Sequence, residues 1–106
     1  MIKSDFKIPQ EVFEKEIRYK IMTKFLKRKV LAGDNETIFM ELKMKDPIAI
    51  MGVRKSVSLE DFEKQLKILL DKNLIQDDGQ KIKITDLGEE YAKSQKGESY
   101  SFLFDY

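Results

Sequence analysis

The chain has 106 residues, of which 42% are hydrophobic and 37% charged, the composition of one globular domain with a modest core. It contains no histidine, cysteine or tryptophan, so it lacks disulfides, the usual nucleophile–base pairs and most zinc or iron ligands. We therefore expect a single domain over residues 1–106 with no enzymatic activity, no cofactor and no bound metal. The absence of a membrane-length apolar run or an apolar signal segment predicts a cytoplasmic protein without a membrane partner.

The net charge of +1 is unevenly distributed along the chain. Residues 1–32 contain nine Lys or Arg against four Asp or Glu, whereas residues 33–106 contain eleven against fifteen. Any attraction to nucleic-acid phosphates should therefore come from the first third of the chain.

Residues 9–32 are predicted to form the first helix. Pro9 suits a first helical turn, Glu11 favours the positive end of the helix dipole, and the run Gly33-Asp34-Asn35 ends the helix. A wide apolar face recurs at helical spacing, at Ile17, Ile21, Met22, Phe25, Leu26 and Val30. On the opposite side lie Lys20, Lys24 and Lys27. These lysines form either an ordinary solvated face or a stripe that follows phosphates.

Residues 37–45 alternate between apolar and charged side chains, which predicts a half-buried strand. Phe39 interrupts the alternation, so a helix is the alternative. Asp46-Pro47 resembles an N-cap followed by a first-turn proline, which predicts a short helix through Ile48, Ala49 and Met51 that Gly52 stops. The competing interpretation places Ile48 and Ile50 in another strand.

Residues 58–72 carry the clearest helical pattern. Ser58 and Asp61 have the spacing of a capping box at its start. One core face recurs at helical spacing, at Leu59, Phe62, Leu66, Leu69 and Leu70. Asn73 is expected to take the left-handed conformation after the helix, with Leu74 folded back onto its last turn.

Residues 75–84 are predicted to form a β-hairpin. Asp78-Gly79 is a strong signal for a two-residue type I′ turn, which requires positive φ at both central positions. This register places Ile75 opposite Ile82 and puts Ile75, Ile82 and Ile84 on one face of the hairpin.

Thr85 is the expected N-cap of a last helix over residues 86–95. Residues 98–106 follow as an aromatic tail, predicted to be a strand because its aromatic side chains alternate at period two, at Tyr100, Phe102, Phe104 and Tyr106. We expect the tail to dock in a groove beside the first helix, either of its own chain or of a second copy.

Two stretches resemble bacterial winged-helix regulators such as the MarR and PadR groups. The run from Met51-Gly52-Val53 through Asn73-Leu74-Ile75 is similar to their "LGV…GLI" run, and Ile84-Thr85-Asp86-Leu87-Gly88 to their "L-T-x-x-G" motif. The resemblance covers residues 46–95. It implies an α+β winged helix-turn-helix domain ordered helix, strand, helix, helix, hairpin, helix, here followed by the aromatic C-terminal strand. It also implies that residues 58–72 are the recognition helix, which in such proteins lies in the major groove of DNA, and that the hairpin is the wing.

The predicted function is DNA binding, as a small transcriptional or mobile-element regulator. A homodimer on duplex DNA is expected, because two-fold operators match two-fold proteins. The candidate nucleic-acid contacts are Lys20, Lys24, Lys27, Arg28, Arg54, Lys55, Ser56, Lys64, Gln65 and Lys67. Lys64, Gln65 and Lys67 lie on the recognition helix and are the candidates for reading bases or contacting phosphates.

The alternative function is a winged-helix module for protein–protein interaction without DNA binding. The outer face of the recognition helix is close to neutral, and the wing tip Asp77-Asp78 is acidic where a DNA reader would favour Lys or Arg. The candidate partner contacts are an exposed Ile68 and the four aromatic residues of the tail.

Overall fold

The computed structural model describes residues 7–95. Within them the element order is α1 (Gln10–Arg28), β1 (Val30–Ala32), α2 (Asn35–Glu41), β2 (Ile48–Ile50), β3 (Val53–Lys55), α3 (Leu59–Asp71), β4 (Ile75–Asp77), β5 (Lys81–Ile84) and α4 (Asp86–Gln95). The strands form a three-stranded antiparallel sheet of order β1-β5-β4 and a separate β2-β3 hairpin. The α+β class is confirmed, and the layout is compatible with a winged-helix-like arrangement. The aromatic tail over residues 98–106 lies outside the described residues.

The predicted helix at residues 58–72 is confirmed as α3, together with both of its end signals. The Ser58 hydroxyl accepts the Asp61 N–H at 3.0 Å and the Asp61 carboxylate accepts the Ser58 N–H at 3.3 Å, which completes the capping box. At the other end Asn73 has φ 60°. The Leu74 N–H donates to the Leu69 carbonyl at 3.1 Å, the bond that closes a Schellman motif.

The first helix is four residues shorter than the predicted 9–32 at its C-terminal end. It stops at Arg28, where Lys29 has φ 68° and its N–H donates to the Phe25 carbonyl at 2.7 Å. Val30–Ala32 instead form β1, with Leu31 buried between two exposed neighbours. The helical prediction fails here because these residues form their backbone hydrogen bonds with β5 instead of within a helix.

The strand predicted at residues 37–45 is wrong, and the helical alternative is confirmed through residue 41 by α2. The Asp34 carboxylate accepts the Thr37 N–H at 2.8 Å and so caps the helix. Ile38 and Phe39 are buried, whereas Met40 is 53% exposed. Adjacent residues of a strand point to opposite faces, so a half-buried strand cannot bury both Ile38 and Phe39. The burial of Phe39, which interrupts the alternation, is explained by a helix.

The short helix predicted at residues 46–52 is also wrong, and the competing strand interpretation is confirmed. Ile48 and Ile50 are buried in β2, which pairs with β3. Met51-Gly52 forms the loop of this hairpin, with φ values of 52° and 81°. Positive φ at both central residues is what a type I′ turn requires, so Gly52 is a turn residue and not a helix stop.

The hairpin predicted at residues 75–84 is confirmed, but its register differs from the prediction by two residues. Ile75 pairs with Ile84 and not with Ile82. A shift of two positions preserves the side-chain alternation, so all three isoleucines are still buried on one face.

The loop of this hairpin is Gly79-Gln80, one residue later than predicted. The Asp78 N–H donates to the Lys81 carbonyl at 3.1 Å, so Asp78 precedes the turn. Its carboxylate accepts the N–H groups of Gln80 at 3.0 Å and of Lys81 at 2.8 Å, which holds it there. An aspartate that bonds its own downstream backbone in this way favours the position before a turn.

Replacing Gly79 with valine is expected to lower the free energy of unfolding by about 1 kcal/mol. Gly79 has φ +96° with open space around it, so the effect comes from the backbone conformation alone. Urea denaturation followed by circular dichroism measures it, with Gln80→Val as the control in the same loop. Equal midpoints for the two variants would contradict the assigned turn.

Candidate functional site

A cleft of about 510 Å³ opens between the start of α2, the first turns of α3 and the β4–β5 hairpin. Four carboxyl groups line it, from Asp34, Glu36, Glu63 and Asp77. Among the described residues that line it, Lys81 supplies the single positive charge. This surface, which we name the hairpin cleft, therefore presents a negative potential.

Three of the four carboxylates are held in place by hydrogen bonds. The Thr37 N–H that Asp34 accepts lowers the pKa of the Asp34 carboxyl group, so this group stays ionised to lower pH. Glu63 accepts from the Asn35 side-chain amide at 3.0 Å, and Asp77 accepts the Gly79 N–H at 2.8 Å. The negative charges of the cleft thus have largely fixed positions.

The two candidate lysines on the outer face of α3 each lie near a carboxylate. The Lys64 ammonium lies 3.7 Å from the Glu14 carboxylate of α1. The Lys67 ammonium lies 3.7 Å from the Asp71 carboxylate one turn later. Both lysines are exposed, but their charge is offset locally, which reduces the attraction that this face offers to phosphate.

Gln65 does not belong to the outer face of α3, which overturns its prediction as a base-reading residue. It is only 1% exposed. Its side-chain oxygen accepts a hydrogen bond from the Arg18 guanidinium of α1 at 2.7 Å. Gln65 stands three residues after Phe62 and one before Leu66, so it falls on the buried face of the helix. This spacing was the sequence signal that could have predicted its burial.

The three candidates before α3 have different surroundings. Lys55 is half-buried, with its ammonium 4.3 Å from the centre of the Phe13 ring and 3.2 Å from the Gln10 amide oxygen to which it donates. These contacts join β3 to the start of α1, so Lys55 has a structural role. Arg54 and Ser56 are exposed.

The basic residues of α1 are brought together with two lysines that the sequence prediction missed. The Lys20 ammonium donates to the Asp46 carbonyl at 3.0 Å, and the Arg28 guanidinium pairs with the Glu41 carboxylate at 3.3 Å. Residues 41–46 therefore run beside α1, and the exposed Lys43 and Lys45 lie in this segment.

We name this surface the basic band. Its members are Lys20, Lys24, Lys27, Arg28, Lys43 and Lys45. Burial lowers the pKa of Lys20, which is consistent with its half-buried position between α1 and the neighbouring turn. The band lies on α1 and the α2–β2 turn, and its six positive charges stand beside the carboxylates of Glu41 and Asp46.

Of the candidate partner contacts, Ile68 is half-buried, which corrects its prediction as an exposed residue. Tyr100, Phe102, Phe104 and Tyr106 lie outside the described residues. Within residues 7–95, no cluster of three or more Asp or Glu side chains is placed to hold a metal ion. No helix in that same part of the chain is long and apolar enough to cross a membrane.

Comparisons with protein-family models, with curated proteins and with solved structures find no match to this chain. Its function is therefore inferred from the chemistry of the surfaces described above.

Proposed function

We propose that this chain is a winged-helix domain that binds a basic segment of a partner protein in the hairpin cleft. The observation that carries the proposal is the lining of the cleft, with four carboxyl groups against one ammonium group. A protein segment rich in Lys and Arg is the partner whose charge complements this surface.

The winged-helix assignment is supported by the order of the elements and by the strand order β1-β5-β4, together with the sequence resemblance to MarR and PadR regulators. In this assignment α3 is the recognition helix and β4–β5 is the wing. The β2–β3 hairpin then stands between α2 and α3, where the resembled regulators have a turn.

The same surface in a DNA-reading winged helix would contact duplex DNA, with the helix in the major groove. Here that surface combines the acidic hairpin cleft with an α3 face whose lysines are paired to carboxylates. Carboxylates repel phosphates, and the positive charge of the lysines on this surface, which would drive DNA affinity, is offset by neighbouring carboxylates. Protein binding is therefore the better-supported function.

The exposed face of α2 extends the acidic surface and adds an apolar side chain. Met40 is 53% exposed and lies in a shallow depression with Asp34, Glu36 and Glu41. Glu41 is paired with Arg28, but the Asp34 and Glu36 carboxylates leave a negative surface beside Met40. An apolar anchor next to negative charge suits an amphipathic segment that combines basic and apolar residues. The proposed partner is thus a basic amphipathic segment, not an arbitrary cation.

Fluorescence anisotropy with two labelled probes tests the proposal at low salt. One probe is an amphipathic peptide of alternating Lys/Arg and Leu clusters, and the other is a mixed-sequence 20-base-pair DNA duplex. We expect micromolar, salt-sensitive binding of the peptide and no binding of the duplex. The double variant Glu36→Gln, Glu63→Gln should weaken peptide binding about 2- to 30-fold, since each surface charge pair contributes roughly 0.2–1 kcal/mol.

The matched control is Glu11→Gln, Glu90→Gln, which removes the same net charge from exposed positions outside the cleft. Its peptide affinity should equal that of the unaltered chain. Equal weakening by the cleft variant and the control, or no peptide binding at all, would overturn the proposal. Asp34 and Asp77 stay unchanged because their carboxylates also bond the backbone.

DNA binding by a homodimeric regulator is the second candidate, favoured by the basic band alone. The addition of Lys43 and Lys45 to the α1 lysines gives a positive surface that could contact phosphates without reading bases. Micromolar binding of the duplex that weakens with salt and is lost in Lys24→Gln, Lys45→Gln would establish this function instead.

A further inference from the structure

An apolar groove of about 770 Å³ lies between the end of α3 and one face of α4. Leu74, Leu87 and Tyr91 supply its apolar surface, and Lys72, Glu90 and Lys93 stand along it. Leu87 is 54% exposed, although it lies on the same side of α4 as Tyr91, which packs partly against the core. This surface, the α4 groove, is distinct from both the hairpin cleft and the basic band.

We propose that residues 100–106 of the same chain dock in the α4 groove, antiparallel to α4. These residues follow α4 directly, since the helix ends at Gln95 and residues 96–99 form the link. The segment contains four aromatic residues, at 100, 102, 104 and 106, each of which buries about 150–250 Å² when packed.

The lengths of the segments determine how the tail can lie in the groove. Leu87 and Ser94 mark the two ends of the groove on α4 and are about 10 Å apart along the helix axis, at 1.5 Å per residue. A strand rises roughly 3.3 Å per residue, so about three residues span this part, and the rest of the seven-residue segment runs past Leu87 toward Leu74 and Lys72, which also line the groove. The four-residue link can reach at most about 14 Å and contains Gly97, which permits the chain to reverse.

The side-chain pattern of the tail and the charges around the groove both support a strand that runs antiparallel to α4. Period-two spacing puts all four aromatic side chains on one face of a strand, the face that would meet the groove. Leu74 lies beside the start of α4, because its carbonyl accepts the Thr85 N–H at 3.1 Å. A strand that runs antiparallel to α4 therefore ends near Leu74, where Asp105 can approach the ammonium group of Lys72.

A double-mutant cycle tests the proposal by thermal denaturation of four proteins. They are the full chain and the chain truncated after Gly97, each with and without Leu87→Ser. In the full chain, Leu87→Ser and the truncation should each lower Tm by about 4–8 °C. In the truncated chain, Leu87→Ser should change Tm by less than about 2 °C, because Leu87 already faces water there. The lower helix propensity of serine acts in both lengths and cancels.

Met40→Ser is the matched control, because Met40 is similarly exposed but lies on α2. It should change Tm equally in both lengths.

Amide chemical shifts give the second measurement, and truncation should move those of Leu87 and Tyr91. Movement along α1 instead would place the segment there. A doubled mass by light scattering that is lost on truncation would assign it to a second copy. Unchanged Tm and amide shifts on truncation would show that it does not dock. Each of these three outcomes overturns the proposal.

Discussion

Replacing Gly88 with alanine is expected to lower the free energy of unfolding by about 3 kcal/mol. A Cβ at this position would overlap the carbonyl oxygen of Leu74 and crowd the Ile84 side chain. The overlap is with backbone, so no side-chain rotation relieves it, and the effect should reach the upper end of the usual range for overpacking. This close approach is the physical reason for a glycine at position 88.

The local hydrogen bonds show why α4 lies so close to the end of α3. The Thr85 hydroxyl is 2.7 Å from the Asn73 carbonyl to which it donates, and it accepts the Gly88 N–H at 2.9 Å. Chemical denaturation measures the loss for Gly88→Ala, with Lys67→Ala on the exposed side of α3 as the control. The control should change stability by less than about 0.5 kcal/mol. A Gly88→Ala variant as stable as the unaltered chain would contradict this packing of α4.

Leu66→Ala is expected to destabilise the fold by about 2–5 kcal/mol. Leu66 is 2% exposed in the middle of α3, beside Phe62 and Leu69, which are also buried. Truncation to alanine removes apolar contacts and leaves a cavity that the surrounding helices fill only in part.

Its neighbour Lys67 provides the control for the Leu66 variant. Lys67 is exposed and its ammonium pairs with Asp71 at 3.7 Å on the surface, so Lys67→Ala should change stability by less than about 0.5 kcal/mol. The midpoints of urea denaturation measure both variants. Comparable midpoints for the two would mean that the buried face of α3 is wrongly assigned.

The elements that the sequence predicted well are those whose signals are local. The capping box at Ser58, the left-handed Asn73 and the N-cap Thr85 each bond to atoms within about five residues or to an adjacent turn. Residues 30–32 have no comparable signal, because a short apolar pattern fits both a helix and a strand, and their structure depends on pairing with a strand about fifty residues later. The cap of α2 at Asp34 is local, but the sequence prediction assigned Asp34 to the end of the first helix.

The candidate site was less predictable because it is assembled from three separate segments. The acidity of Asp77 in the hairpin was visible in the sequence, but its proximity to Glu36 and Glu63 depends on the packing of α2, α3 and the hairpin. Gln65 shows the converse problem, since a polar residue was assigned to the surface although its position in the helical repeat is that of the core.

The strand order β1-β5-β4 determines when this protein can begin to fold during synthesis. β5 lies between the other two strands, so Leu31 of β1 cannot pair until Ile82 has been synthesised, fifty-one residues later. At about 5–20 residues per second, a translating ribosome takes roughly 3–10 s to cover that distance. During this interval the apolar face of α1, with Ile17 and Phe25, has no complete sheet to pack against. The nascent chain therefore leaves this face without its sheet, and accessible to chaperones, until β5 has been translated.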